Sequence, residues 1–116
     1  MKSIEEFKEV LIFQKPVDMR KYRNGLVDII LSECSKSIYE KVLFVFSNKQ
    51  RNIIRFLYWD YTGFAIWTKN LDKDKYKWPR QIFEEQTAEI SKKQLLMLHR
   101  GMDISEHKRL VYESVL

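Results

Sequence analysis

The sequence predicts an α+β domain: a small, mainly antiparallel sheet of about four or five strands packed with two or three helices. Three observations predict it. Runs rich in β-branched and aromatic residues follow one another at short intervals. Two further segments carry apolar residues at helical spacing. No repeat and no low-complexity linker divides the 116 residues, so residues 1–116 read as one domain.

The elements follow in order. "EVLIFQKP" (Glu9–Pro16) is an apolar run closed by proline and reads as a first strand. Asp18 stands at the N-cap position of a helix whose stripe is Tyr22, Leu26, Ile29 and Ile30. Gly25 weakens that helix by about 1 kcal/mol relative to Ala and is expected to allow a close approach to the sheet. "KVLFVFSN" (Lys41–Asn48), "RNIIRFLYWD" (Arg51–Asp60) and "GFAIWTKNL" (Gly63–Leu71) read as three successive strands. "KYKWPR" (Lys75–Arg80) reads as a short edge strand stopped by Pro79. Glu84, Glu85 and Glu89 mark an acidic connector. Ser91 and Gln94 have capping-box spacing ahead of Leu95, Leu96 and Leu98, and Gly101 is placed to end that helix. Ser105 would cap an additional helix in the tail, residues 104–116.

Between the third and fourth strands lies Asp60-Tyr61-Thr62-Gly63. A three-residue loop with Gly63 at positive φ pairs Asp60 with Phe64, Leu57 with Trp67 and Arg55 with Lys69. One face then holds Ile54, Phe56, Tyr58, Phe64 and Ile66; the other holds Arg51, Arg55, Leu57, Trp59, Trp67 and Lys69. Two readings of the second face stand. Its tryptophans stack on bases beside phosphate-binding cations, or they pack under the first helix while the cations extend outward at the rim.

Charge is focused in the same region. Residues 41–80 hold Lys41, Lys49, Arg51, Arg55, Lys69, Lys73, Lys75, Lys77 and Arg80 against Asp60, Asp72 and Asp74, while the segments on either side are close to balance. The chain's net +5 therefore comes from its middle third. Such focusing favours a phosphate-bearing or acidic partner, with a solvated lysine-rich face as the plain alternative.

Catalytic signals are absent from the sequence. Gly25, Gly63 and Gly101 are too far apart for a phosphate-binding loop. Cys34, His99 and His107 lack metal-ligand spacing. Asp72 and Asp74 sit among lysines and read as a solvated loop. Neither a cofactor nor a metal is expected. A single cysteine excludes an internal disulfide and suits a reducing compartment. No apolar run reaches the roughly 18 residues of a membrane span. "MKSIEEFKEV" carries Glu5, Glu6 and Glu9 rather than an apolar signal region, so a cytoplasmic location is expected.

The motifs "VDMRK" (Val17–Lys21), "GL" (Gly25–Leu26), "LFVFSN" (Leu43–Asn48), "RFLYWDYTGF" (Arg55–Phe64), "WTKNL" (Trp67–Leu71), "KWP" (Lys77–Pro79) and "LLMLHRGMD" (Leu95–Asp103) occur in this order. Over residues 17–103 this resembles the small accessory protein encoded by the second open reading frame of the insertion-sequence-66 family of bacterial mobile elements. The resemblance implies a protein that assists transposition beside a separately encoded transposase, with no catalytic residue to carry over. Its positions here are Asp18, Arg20, Lys21, Arg51, Arg55, Trp59, Asp60, Gly63, Lys69, Trp78 and Pro79.

Together these readings lead to an expected function: a non-enzymatic accessory protein that binds DNA. The expected phosphate-binding residues are Lys49, Arg51, Arg55, Lys69, Lys73, Lys75, Lys77 and Arg80, joined by Arg20 and Lys21. The alternative is an adaptor that docks on the transposase, with Trp59, Trp67 and Trp78 as its anchors.

Overall fold

A computed structural model of the chain describes residues 3–34, 37–71, 75, 76, 78 and 87–99. A 3-10 turn at Ile4–Glu6, closed by a Ser3–Glu6 capping box, leads into β1 (Glu9–Phe13). Helix α1 (Arg23–Glu33) follows, then β2 (Val42–Ser47), β3 (Ile53–Asp60), β4 (Gly63–Asn70), β5 (Thr87–Ile90) and α2 (Lys92–His99). The strands form one sheet in the order β4-β3-β2-β1-β5. β1 and β2 are parallel, and every other pair is antiparallel. The expected α+β class holds, with one βαβ crossover through α1 inside an otherwise antiparallel sheet.

Both faces of the sheet are covered. Leu26 and Ile30 of α1 pack on Leu11, Phe13, Val42, Phe44, Phe46 and Leu57. Leu95 and Leu98 of α2, with Phe7 and Tyr76, pack on Val10, Ile12, Leu43, Val45, Ile54, Phe56 and Tyr58. This explains why β2 is apolar without alternation: each of its residues from Val42 to Ser47 is buried. The capping box of α2 forms as the spacing predicts, with Ser91 Oγ accepting from Gln94 N and Gln94 Oε1 accepting from Ser91 N, both at 3.0 Å. Leu96, expected on the apolar side of α2, is exposed.

Several expectations change. Asp18 does not cap α1, which begins at Arg23 after Tyr22. Its carboxylate instead accepts from the backbone N–H of Arg20 at 2.9 Å, closing a local turn that competes with helix initiation. The atoms nearest a Cβ at Gly25 belong to the Lys21 side chain, at 3.0–3.4 Å, and not to the sheet. The hairpin loop has two residues, not three. Thr62 N donates to Asp60 O at 2.5 Å around Tyr61, whose φ is 53°. Gly63 joins β4 opposite Asp60 without a positive φ.

That loop moves the register by one residue and turns every β4 side chain over. Trp67 pairs with Phe56 and Lys69 with Ile54, on the α2 face; Phe64, Ile66 and Thr68 share the α1 face with Trp59, Leu57 and Arg55. The predicted juxtaposition of Arg55 with Lys69 does not occur. Lys75, Tyr76 and Trp78 are not in a strand, and the edge next to β1 is β5, formed within the expected acidic connector. Lys77, Pro79, Arg80, Glu84, Glu85, Gly101 and the helix expected from Ser105 lie outside the described residues.

Candidate nucleic-acid interface

The parallel β1–β2 pair fixes the polarity of the sheet. β1 and β2 end, β3 begins and β4 ends on the same side. The loops leaving that side are stitched together by backbone bonds. Val17 N donates to Ser47 O at 2.9 Å, Leu71 N to Asn52 O at 2.8 Å and Tyr76 N to Arg51 O at 2.6 Å. Asn48 organises the β2–β3 turn. Its Oδ1 accepts from Asn52 N and Ile53 N at 3.1 and 3.0 Å, and its Nδ2 donates to Asn52 Oδ1 at 2.6 Å.

On this side stand Lys15, Arg20, Lys21, Lys49, Arg51, Lys69 and Lys75, and among the described residues of these loops Asp18 is the single acid. Their environments differ. Lys15, Lys21, Lys49 and Lys75 are exposed. Arg20 is 91% exposed in its side chain and forms a forked ion pair with Asp18, Nη2 to Oδ2 at 2.7 Å. The Arg20 guanidinium and backbone N–H hold the Asp18 carboxyl down to about 2, and the same bond raises the pKa of Arg20.

Arg51, Arg55 and Lys69 are built into the fold. Arg55 is only 8% exposed. Its Nε donates to Thr68 Oγ1, and its Nη1 donates to the carbonyls of Met19 and Lys21, all at 2.9 Å. The guanidinium also lies 5.4 Å from the centre of the Tyr22 ring. Arg55 thus clamps the loop that carries Arg20 and Lys21. Arg51 adopts φ 59°, a left-handed conformation costing about 1–2 kcal/mol for a residue with a Cβ. Its Nη2 donates to Gln14 O at 2.9 Å, and its guanidinium packs 5.1 Å from the Trp78 ring centre. Its Nη1 is buried without a hydrogen-bond partner, and burial lowers the pKa of the group. Lys69 is half-buried, with Nζ 3.3 Å from His99 Nε2.

The tryptophans are dispersed. Trp78 is half-buried, and its Nε1 donates to Phe13 O at 3.1 Å. Trp67 is 44% exposed on β4. Trp59 lies at the opposite end of the sheet, edge-on to Tyr39 and Phe64 at 4.9 and 5.0 Å. They do not share one surface. Lys73, Lys77 and Arg80 fall outside the described residues. Lys15 was not singled out from the sequence; its signal was its place between the end of β1 and Pro16.

Among the described residues, no group of three or more His, Cys, Asp or Glu is placed to hold a metal ion, and no helix is long and apolar enough to cross a membrane. No solved structure matches this chain. The chain is similar to a protein of Sinorhizobium fredii (strain NBRC 101917 / NGR234) described as uncharacterized protein y4jC, with 30% identity over 100 residues, covering 86% of this chain and 84% of that one. The family model described as IS66 Orf2 like protein matches residues 8–109, which include every described strand and helix from β1 onward. The chain therefore belongs to the IS66 Orf2-like family and is an accessory protein associated with insertion sequences.

Proposed function

We propose that this chain is a non-catalytic accessory protein of insertion-sequence transposition that holds DNA by its phosphates against the loop end of the sheet. The observation that carries the reading is the convergence of Lys15, Lys21, Lys49, Arg51 and Lys75 on one side of the sheet with Asp18 as the single acid described there. Lys21, Lys49 and Lys75 would meet phosphates directly, and Lys73, Lys77 and Arg80 of the same segment would extend the contact. Arg20 would contribute less, since its charge is offset by Asp18. Of two other cations proposed from the sequence as phosphate ligands, Arg55 would act by holding the Met19–Lys21 loop in place, and Lys69 is turned toward His99 of α2. Arg51 would act through its field, because its guanidinium is engaged with Gln14 and Trp78.

The reading is tested by fluorescence anisotropy with labelled duplex and single-stranded DNA at low salt. Saturable binding of either supports it, and no binding of both rejects it.

A second reading rests on the opposite end. Tyr39, Trp59 and Phe64 form an aromatic cluster there, with Tyr39 exposed and Tyr61 beside it 83% exposed. Such a cluster suits an adaptor that docks on the element's transposase. Capture of the purified transposase that survives nuclease treatment, and is lost in Trp59→Ala, would establish it.

A further inference from the structure

The two edges of the sheet differ. β5 has four residues, whereas β4 has eight, with no proline and an uninterrupted register to β3. Short length is one way in which natural edges are protected against pairing; β4 lacks that protection. Its one charge is Lys69, whose Nζ turns inward to His99 Nε2. Among the described residues β4 has a single strand neighbour.

The outer edge of β4 has a definite pattern. Asn48 N bonds Ile53 O, and Leu71 N bonds Asn52 O. Continuing the alternation up the hairpin, Ala65, Trp67 and Lys69 bond to β3, while Phe64, Ile66, Thr68 and Asn70 turn their backbone N–H and C=O outward. These four positions are symmetric about Trp67. An antiparallel copy of β4 can therefore pair all of them, Ile66 with Thr68 and Phe64 with Asn70. Moving the partner by one ladder repeat in either direction loses a pair. In the centred register Lys69 faces Ala65 and not another lysine, so no like charges oppose. Trp67 faces its own copy at a non-hydrogen-bonded position, where side chains approach most closely.

We infer that the chain dimerises edge to edge through β4, with Trp67 on the two-fold axis of a continuous sheet. The pairing is isologous and closed, so it ends at two copies. Because the two β4 strands run in opposite directions, the basic ends lie at opposite poles, separated by at least the roughly 27 Å length of an eight-residue strand. The dimer then offers two phosphate-binding surfaces and would bridge two duplexes. That last consequence rests on the DNA reading; the dimer does not.

Sedimentation equilibrium without DNA tests the dimer. The wild-type chain is expected at twice its mass, while Trp67→Glu and Trp67→Lys are each monomeric and their equimolar mixture returns to dimer. A non-hydrogen-bonded pair sits about 4.5 Å apart at Cα, within disulfide reach. Trp67→Cys is accordingly expected to cross-link two chains on mild oxidation, and Thr68→Cys is not. A monomeric wild type, charge variants that still dimerise alone, or a mixture that stays monomeric would each overturn the inference. Capture of a second, differently labelled duplex by immobilised protein–DNA complex tests bridging. A dimer that binds no DNA would refute the phosphate reading and leave the β4 interface standing.

Discussion

The two ends of the sheet use charge in opposite ways. At the loop end, Lys21, Lys49 and Lys75 stay exposed while Arg51 and Arg55 are spent on holding loops together. At the other end, Glu5, Glu6, Glu40 and Asp60 are interspersed with Lys8, Lys41, Lys92 and Lys93, and Lys92 lies 3.6 Å from Glu5. Among the described residues, one end accumulates positive charge and the other cancels it. The difference follows from the chain path. The parallel β1–β2 crossover sends the loops after β1, β2 and β4 to one side, and those loops carry the lysines. Net charge alone would not reveal this, because a modest excess spread evenly has little reach beyond a Debye length of roughly 10 Å.

The strongest way to break the contrast is charge reversal. Lys21→Glu, Lys49→Glu and Lys75→Glu combined should lower DNA affinity by about 100-fold or more at low salt. The matching triple at the other end, Lys8→Glu, Lys41→Glu and Lys93→Glu, should change it less than about threefold. Anisotropy titrations of both proteins check this; equal losses would mean the charged ends are interchangeable.

Next in size is the clamp. Arg55→Met leaves the carbonyls of Met19 and Lys21 and the hydroxyl of Thr68 without their donor, and should cost about 2–4 kcal/mol in urea unfolding. It should also weaken DNA binding, since Lys21 loses its anchor. An unchanged urea midpoint would show that the loop is held by something else.

A smaller effect is expected at the far end. Tyr61 adopts φ 53° with its ring exposed, so Tyr61→Gly should raise stability by about 0.5 kcal/mol and leave DNA affinity unchanged. A fall in affinity would place part of the DNA surface at this end.

The smallest effect concerns Asp18. Its carboxyl, held down by the Arg20 hydrogen bonds, should titrate in NMR near 2 instead of the ordinary 3.8. Because the folded value is depressed, the pair's contribution is present above about 3.8 and fades as pH falls toward 2. A midpoint close to 3.8 would mean that the ion pair does not persist in solution.

Much of the fold was legible because local signals agree with it. β1 to β4 stand out as apolar, β-branched runs, and Ser91 with Gln94 announces α2. The hairpin register was not legible, for a physical reason. Both faces of β3 are covered, and β4 opens with the unbroken apolar run Phe64-Ala65-Ile66-Trp67, so either register lays apolar side chains against β3 and alternation cannot choose between them. The turn decides, and it places a tyrosine rather than the nearby glycine at positive φ. β5 was hidden because it has only four residues, and its central pair, Ala88 and Glu89, is of types depleted in strands. The position of the cations along the chain was readable; their burial was not. Arg55 is buried because carbonyls 36 and 34 residues away accept its protons, which no local pattern encodes. Trp59 and Trp67, read as neighbours on one face, are separated by the same change of register.

Joint neutralisation of DNA phosphates by several lysines at one end of the sheet, as proposed, makes duplex binding depend steeply on salt. Three or four phosphate contacts predict that log K falls against log salt with a slope of about −3 or steeper, and that Lys49→Ala makes the slope shallower by about 0.9. A slope near zero, or one that Lys49→Ala leaves unchanged, would contradict the claim.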